Sequence, residues 1–268
     1  MDNPSSHVFF PVSYNELFAS WERFPNAIIF AGGTTLIGRQ EKIIDPTQDF
    51  LCLDKIDDLH YITRTEHYLE IGAMIKLNRL MKLGKIVPDV LVKSLENIAG
   101  VQVKNIATIG GNICSSSLLD LPGVLSALDA QYELRSANNT RWVSALRFHS
   151  GKILEKREIL TRIRLPLSIW DYSFYKKFHE SDITLTFLIK VQKNVLSDTR
   201  IIIKTDSLIR NKDGESKLNG NFLPLNRRTT EDFINHFKEF LAEIVNISDF
   251  SKNALLNSIE VNILNLTE

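Results

Sequence analysis

Two segments hold the residue types that bind an anion: Ile29-Phe30-Ala31-Gly32-Gly33-Thr34-Thr35-Leu36 and Thr108-Ile109-Gly110-Gly111-Asn112. In each, adjacent glycines follow an apolar stretch and stand beside hydroxyl or amide side chains. Glycine lets backbone N–H groups come close to an anion, because no side chain intervenes and positive φ is open to it. Thr34, Thr35, Thr108 and Asn112 add hydrogen-bond donors aimed at the same kind of ligand. Taken singly, either segment reads as a tight turn. As a pair, they read as a grip on a pyrophosphate from two sides.

Other chemistries are excluded by what the chain lacks. Gly33 and Gly38 have the Gly-x4-Gly spacing of a nucleoside-triphosphate loop, but Arg39-Gln40 stands where Lys-Ser/Thr must contact phosphate and Mg²⁺. The Gly-x-Gly-x-x-Gly dinucleotide fingerprint is absent. So are the His-Glu-x-x-His of zinc peptidases and the Gly-x-Ser-x-Gly of α/β-hydrolases. The six histidines, His7, His60, His67, His149, His179 and His236, have no metal-ligand spacing. No catalytic residue and no metal ligand is therefore assigned; the chemistry is expected to reside in a bound cofactor. Cys52 and Cys114 are too few for a disulfide framework, which suits a reducing cytosol, and too few for an iron–sulfur cluster, which usually takes four thiolates. Any cluster is expected on a partner. The 32 basic and 32 acidic residues cancel, so no field favours nucleic acid or an anionic membrane. No apolar run approaches the roughly 20 residues of a membrane span, and Met1-Asp2-Asn3-Pro4-Ser5-Ser6 lacks a signal peptide's regions. A cytoplasmic location is expected.

The elements that must position these segments follow from periodicity. Ser13-Tyr14-Asn15-Glu16 reads as a capping box, with Leu17, Phe18, Trp21 and Phe24 at helical spacing and Pro25-Asn26 ending the helix. Ala27–Phe30 is expected as a short buried strand feeding the first glycine segment, and Phe50–Leu53 as another. Tyr61–Thr63 and Tyr68–Ile71 flank a polar turn, a hairpin signal. Short helices are predicted over Lys76–Leu83 and Pro88–Ala99. After the second glycine segment, Asp120 is expected to cap a helix with Pro122 in its first turn and Val124, Leu125 and Leu128 facing inward. Gln131–Arg135 and Glu158–Leu165 alternate as strands do, and Pro166 closes the latter. Past about residue 170 the texture changes. Strands are predicted over Thr184–Val191 and Arg200–Lys204, then a helix opened by Thr230 with Phe233, Phe237, Phe240, Leu241 and Ile244 on one stripe, and a last helix from Ser251 to near Ile263. Strands followed by segregated helices indicate a separate α+β unit.

The stretch Val101–Ile113 resembles the FAD-binding (medium) subunit of molybdenum hydroxylases, the xanthine dehydrogenase-like and carbon monoxide dehydrogenase-like enzymes. The likeness extends to the Ala-Gly-Gly-Thr segment, Ile71-Gly72-Ala73, Leu125–Ala130, Phe148-His149-Ser150-Gly151 and Glu158-Ile159-Leu160 leading to Pro166. The resemblance implies an α+β fold: a two-lobed FAD-binding domain of the vanillyl-alcohol-oxidase type over residues 1–170, its lobes divided near 55–60. A small C-terminal α+β domain of the carbon monoxide dehydrogenase flavoprotein type would follow over 171–268. It implies that Ile29 to Leu36 wrap the FAD pyrophosphate, with Gly32, Gly33, Thr34 and Thr35 as donors, and that Thr108, Ile109, Gly110, Gly111 and Asn112 form the opposing grip. Ile98 would lie against the adenine and Asp120 near the ribose. Leu160 would pack near the isoalloxazine, and Lys176 or Lys177 would stand near the flavin ring.

By the same resemblance, the chain is an oxidoreductase subunit active within a heteromeric complex. Partner subunits would carry the molybdopterin cofactor and the [2Fe–2S] clusters, and FAD would pass electrons to an acceptor such as NAD. Its length argues for separate partner chains. The sequence also departs from the family. Thr35 replaces a commonly acidic or other polar residue, the segment Ile113–Asp120 is about one residue short, and no arginine follows Lys177 within Phe178–Asp182. These departures keep two alternatives open: a non-catalytic assembly subunit whose flavin site has decayed, and a stand-alone FAD oxidoreductase.

Overall fold

A computed structural model describes residues 6–38, 47–115, 118–151 and 154–267. Arg39 and Gln40, the leading residues 1–5, and Ser116 and Ser117 of the shortened segment lie outside the described residues. The chain divides into two compact units, Met1–Leu167 and Ser168–Glu268.

The first unit opens with β1 (Val8–Phe9), α1 (Tyr14–Arg23), β2 (Ile28–Phe30), α2 (Thr34–Gly38) and β3 (Phe50–Cys52), and the strands form a parallel sheet in the order β1-β3-β2. The Ser13 hydroxyl accepts from the Glu16 N–H at 3.3 Å, as an N-cap should. The Glu16 carboxylate accepts from the Val12 N–H at 2.9 Å, one residue earlier than a capping box places it. Leu17 and Phe18 are buried, but Trp21 on the same stripe is only half-buried. Nor is β2 the buried strand its apolar run predicts. Ile28 is 37% exposed and Ile29 and Phe30 are half-buried, because this strand borders a cavity.

The rest of the unit begins with the hairpin β4 (Ile62–Arg64) and β5 (Tyr68–Gly72). The helices α3 (Leu77–Met81), α4 (Asp89–Glu96), α5 (Val101–Ile106), α6 (Ile109–Ile113) and α7 (Leu121–Ala127) come next. It closes with β6 (Gln131–Arg135), β7 (Thr140–Ser144), α8 (Ala145–His149) and β8 (Ile159–Pro166). The antiparallel sheet has the order β4-β5-β8-β6-β7, which makes β8 central. Its alternation works as the period-2 rule requires. Ile163 and Leu165 are fully buried, while Arg162 and Arg164 turn to the other face and donate to Glu70 at 3.0 and 2.8 Å. Helix α4 stops at Glu96, short of the predicted Ala99. The buried Lys104 ammonium donates to the Leu95 and Glu96 carbonyls at 3.2 and 3.3 Å and satisfies that helix end.

The second unit contains β9 (Tyr172–Phe178), β10 (Ile183–Gln192), β11 (Val195–Lys204) and β12 (Leu208–Arg210), antiparallel in the order β12-β11-β10-β9. Lys193 and Asn194 take φ of 50° and 60°, the paired positive values that a two-residue hairpin turn needs. Helices α9 (Lys212–Leu218), α10 (Arg227–Glu243) and α11 (Asp249–Leu264) follow. Ile183, Leu185, Phe187 and Ile189 from one sheet face share a core with Phe233, Phe237, Leu255 and Ile259. Helix α10 starts at Arg227 rather than at Thr230, because the Asn226 amide oxygen accepts from the Thr229 N–H at 2.9 Å and caps it there. The α+β class expected from the sequence is the class observed.

Candidate functional site

The first unit holds a cavity of about 1220 Å³, larger than the roughly 300–1,000 Å³ of ordinary ligand clefts. One wall is the first glycine segment: β2, Ala31, Gly32, Gly33 and the start of α2, with Thr34, Thr35 and Leu36. Thr108, Gly110 and Gly111 adjoin it in the same lining. Trp21, Leu53, Ala73, Met74, Cys114 and Ser115, with Leu154, Glu158, Ile159 and Leu160, complete the lining.

The two glycine segments meet because their glycines allow it. A Cβ on Gly32 would stand 2.4 Å from the Ile106 carbonyl oxygen and 3.1 Å from the Ala107 Cα. One on Gly111 would lie 4.0 Å from the Ala31 Cβ. Gly33 has φ +71°, a value that strains any residue with a side chain, and its Cβ would meet the Phe30 ring at 2.5 Å. The packing also explains Ile71-Gly72-Ala73. A Cβ on Gly72 would sit 2.2 Å from the Leu59 carbonyl oxygen, and Gly110 rests on Ala73, where a Cβ would come within 2.8 Å.

The second segment differs from the open loop of donors that its glycines suggest. It is the short helix α6 with Thr108 as N-cap, and the Thr108 hydroxyl accepts from the Gly111 N–H at 3.0 Å. The Ile109 and Gly110 N–H groups are spent on the Ile75 and Ala73 carbonyls, each at 2.9 Å. What this wall offers a ligand is a flat glycine surface and the Thr108 hydroxyl, which still has a proton to donate.

Asn112 is buried outside the cavity lining, and its side-chain oxygen accepts from the Leu121 N–H at 3.3 Å. It therefore performs at α7 the capping expected of Asp120. Asp120 is buried too, but its backbone is helical (φ −76°, ψ −37°) and its side chain does not cap the helix. Ile98 and Ile109 are likewise buried and outside the lining, whereas Leu160 is part of it. Lys176 and Lys177 belong to the second unit. There Lys176 donates to Ser258 at 3.2 Å and lies 5.0 Å from the Phe178 ring centroid, while Lys177 pairs with Asp182 at 3.7 Å.

Sequence reasoning missed Trp21, Ile28, Gly38, Leu53, Ala73, Met74, Cys114, Ser115, Leu154, Glu158 and Ile159 as lining residues. Only Trp21 carried a signal, an indole with a polar N–H on a stripe otherwise of pure hydrocarbon.

No lysine, arginine or histidine is among the described lining residues, and Glu158 is the one carboxylate. Burial opposes the ionisation of Glu158. The Arg141 guanidinium, donating at 2.8 and 2.7 Å, and the Glu155 N–H at 3.0 Å outweigh it and hold the carboxyl below its usual range. The donors available to a ligand are thus neutral hydroxyl and backbone groups on a glycine surface, and the remaining walls are apolar: Trp21, Ile28, Phe30, Met74 and Leu160. That combination fits a dinucleotide, with a diphosphate at the glycines and flat rings against hydrocarbon.

Comparison with known proteins agrees with this reading. Residues 4–168 match the family described as the FAD binding domain in molybdopterin dehydrogenase. The glyceraldehyde dehydrogenase medium chain of Sulfolobus acidocaldarius is 28% identical over 200 residues, covering 70% of this chain and 71% of that one. The xanthine dehydrogenase FAD-binding subunit of Escherichia coli O157:H7 is 31% identical over 149 residues, which cover 53% of this chain and 51% of that subunit. In fold, the chain is similar to a carbon monoxide dehydrogenase chain from Hydrogenophaga pseudoflava, with a TM-score of 0.84, 22% identity and coverage of 100% and 98%. The chain therefore belongs to the family of FAD-binding domains of molybdopterin dehydrogenases, oxidoreductase components whose cofactor is FAD.

Proposed function

We propose that this chain is the electron-transfer subunit of a cytoplasmic molybdenum hydroxylase complex, with FAD held in the cavity of its first unit as the FAD-binding domain and residues 168–268 as the C-terminal domain. The observation that carries this reading is the packing of the two glycine segments against each other in the lining of one large cavity, whose described lining has neutral donors on glycine and largely apolar residues elsewhere. Thr34, Thr35 and the backbone from Ile29 to Leu36 bind the diphosphate. Thr108, Gly110 and Gly111 close on it from the other side. Leu160, with Trp21 and Met74, supplies apolar surface for the rings. Behind the lining, Asn112 caps α7 and the Ile109 N–H anchors α6 on Ile75, while Ile98 and Asp120 are buried outside the lining.

Bound FAD supplies a junction between one-electron and two-electron chemistry, which suits a chain placed between partner iron–sulfur clusters and an acceptor such as NAD. The molybdopterin and [2Fe–2S] groups belong to partner subunits. Among the described residues no helix is long and apolar enough to cross a membrane.

Purification of the chain, its visible spectrum and identification of any nucleotide released on denaturation test the reading. Stoichiometric FAD supports it. A colourless protein that FAD cannot reconstitute overturns it in favour of an assembly subunit. Reduction of bound FAD by an organic substrate without partner subunits would instead identify a stand-alone oxidoreductase.

A further inference from the structure

We propose that the Arg141–Glu158 ion pair is a positioning element for the flavin cavity: it fastens the turn that carries the Leu154–Leu160 wall, and loosening it releases FAD. This rests on the cavity being the FAD site.

Glu158 sits on the cavity lining, yet only 3% of its side chain is accessible, so the carboxylate does not present itself to a ligand. It accepts three bonds from the protein instead. Two come from the Arg141 fork on β7 at 2.8 and 2.7 Å, and one from the Glu155 N–H at 3.0 Å. A bidentate guanidinium–carboxylate pair fixes both position and angle. The Glu155 bond closes a turn that is strained: Arg157 takes φ +59°, and the Glu158 N–H returns to the Glu155 carbonyl at 3.2 Å. Glu158 thus joins β7 to the turn entering β8, and the two residues that follow it, Ile159 and Leu160, form cavity wall. A surface ion pair would be near-neutral in energy. This one has a buried carboxylate, so removal of its partner leaves that carboxylate uncompensated.

The test is FAD titration into the apoprotein, read by quenching of flavin fluorescence, for wild type, Glu158→Gln, Arg141→Gln, the double variant and Arg141→Lys. We expect each Gln variant to weaken FAD binding about tenfold or more and to speed its release. The double variant should be no worse than Arg141→Gln, which already removes both the Glu158 pair and the longer 3.7 Å contact of Arg141 with Glu155. Arg141→Lys should recover part of the affinity. Arg210→Gln, which breaks the comparable Arg210–Glu215 pair in the second unit, should leave FAD affinity within twofold. Binding by Glu158→Gln within twofold of wild type, or losses that add in the double variant, overturns the proposal. Should Glu158→Gln fail to fold, Arg141→Lys decides alone: unchanged affinity and release overturn the proposal, and weakened binding at unchanged apoprotein Tm supports it. A wild-type chain that binds no FAD overturns the cavity assignment instead.

Discussion

A Cβ at Gly32 would be driven into the backbone carbonyl of Ile106, an atom that cannot rotate away. Gly32→Ala should therefore push the two segments apart, with loss of FAD binding and a fall in stability of about 1–3 kcal/mol, the size of an overpacked core, read by thermal melting and flavin titration. Gly33→Ala differs. Its clash is with the movable end of Phe30, so the φ of +71° carries most of the cost, about 1–2 kcal/mol; a chemical melt measures it. His149 supplies a pH dependence. Burial pushes its pKa down to about 4, and its Nε2 stands 3.4 Å from the Tyr132 hydroxyl. Unfolded histidine titrates near 6.5, so below that pH the unfolded chain takes a proton that the folded chain refuses. Stability should be full above pH 6.5 and fall towards pH 4, by about 3 kcal/mol at most. His149→Phe should flatten this limb in urea melts between pH 7 and 4; an unchanged slope would assign the acid sensitivity elsewhere. At this scale the glycines and Thr34, Thr35 and Thr108 were legible in the sequence, because glycine and hydroxyl pairs are rare side by side without a geometric reason. Met74 and Glu158 were not: a thioether at a lining position reads as core, and a glutamate reads as surface until its Arg141 partner is known.

Among the elements, caps set the boundaries that periodicity left loose. The Asp120-Leu121-Pro122 sequence has every local mark of an aspartate-capped helix, yet Asn112 supplies the cap from nine residues earlier. Competition explains the exchange: Asp120 has helical φ and ψ, and an N-cap needs extended backbone. Asn112→Ala should cost about 1 kcal/mol, as lost caps do, while Asp120→Asn should leave the start of α7 intact; hydrogen exchange at Leu121 distinguishes them. Lys104 ends α4 in the same way. Lys104→Met leaves the Leu95 and Glu96 carbonyls without their donor and should cost about 1–3 kcal/mol in a melting experiment. The apolar run of β2 reads as core from sequence, because hydrocarbon that faces a ligand cannot be told from hydrocarbon that faces other hydrocarbon. β7 escaped notice because Thr140-Arg141-Trp142-Val143-Ser144 is mixed in polarity and half-exposed.

At the scale of the whole molecule, a ligand bound only by the folded chain must raise its stability. FAD at a hundred times its Kd should add about 2.7 kcal/mol, seen as a rise in Tm that AMP, which has no diphosphate, reproduces weakly. The balance of 32 basic and 32 acidic residues puts no net field across the chain. The described lining likewise has no cation to attract a dinucleotide. Affinity then depends on geometry, and the dissociation constant should change little with added salt, whereas a site built on lysines would weaken steeply.

The sequence by itself determined the fold class, the strands and helices with strong periodicity, the glycine-rich segments and, through the order of several motifs, the family. All but the family are short-range properties, since backbone freedom, side-chain period and cap chemistry act within a few residues; the family came from the order of motifs between Ala31 and Pro166. Only the tertiary structure decided that α6 spends its N–H groups on Ala73 and Ile75, that Asn112 caps in place of Asp120, and that Arg141 holds Glu158 against the cavity. Those bonds join residues of different elements, 9 and 17 positions apart for Asn112–Leu121 and Arg141–Glu158. A donor's partner in space is then chosen by packing, and no local pattern records it.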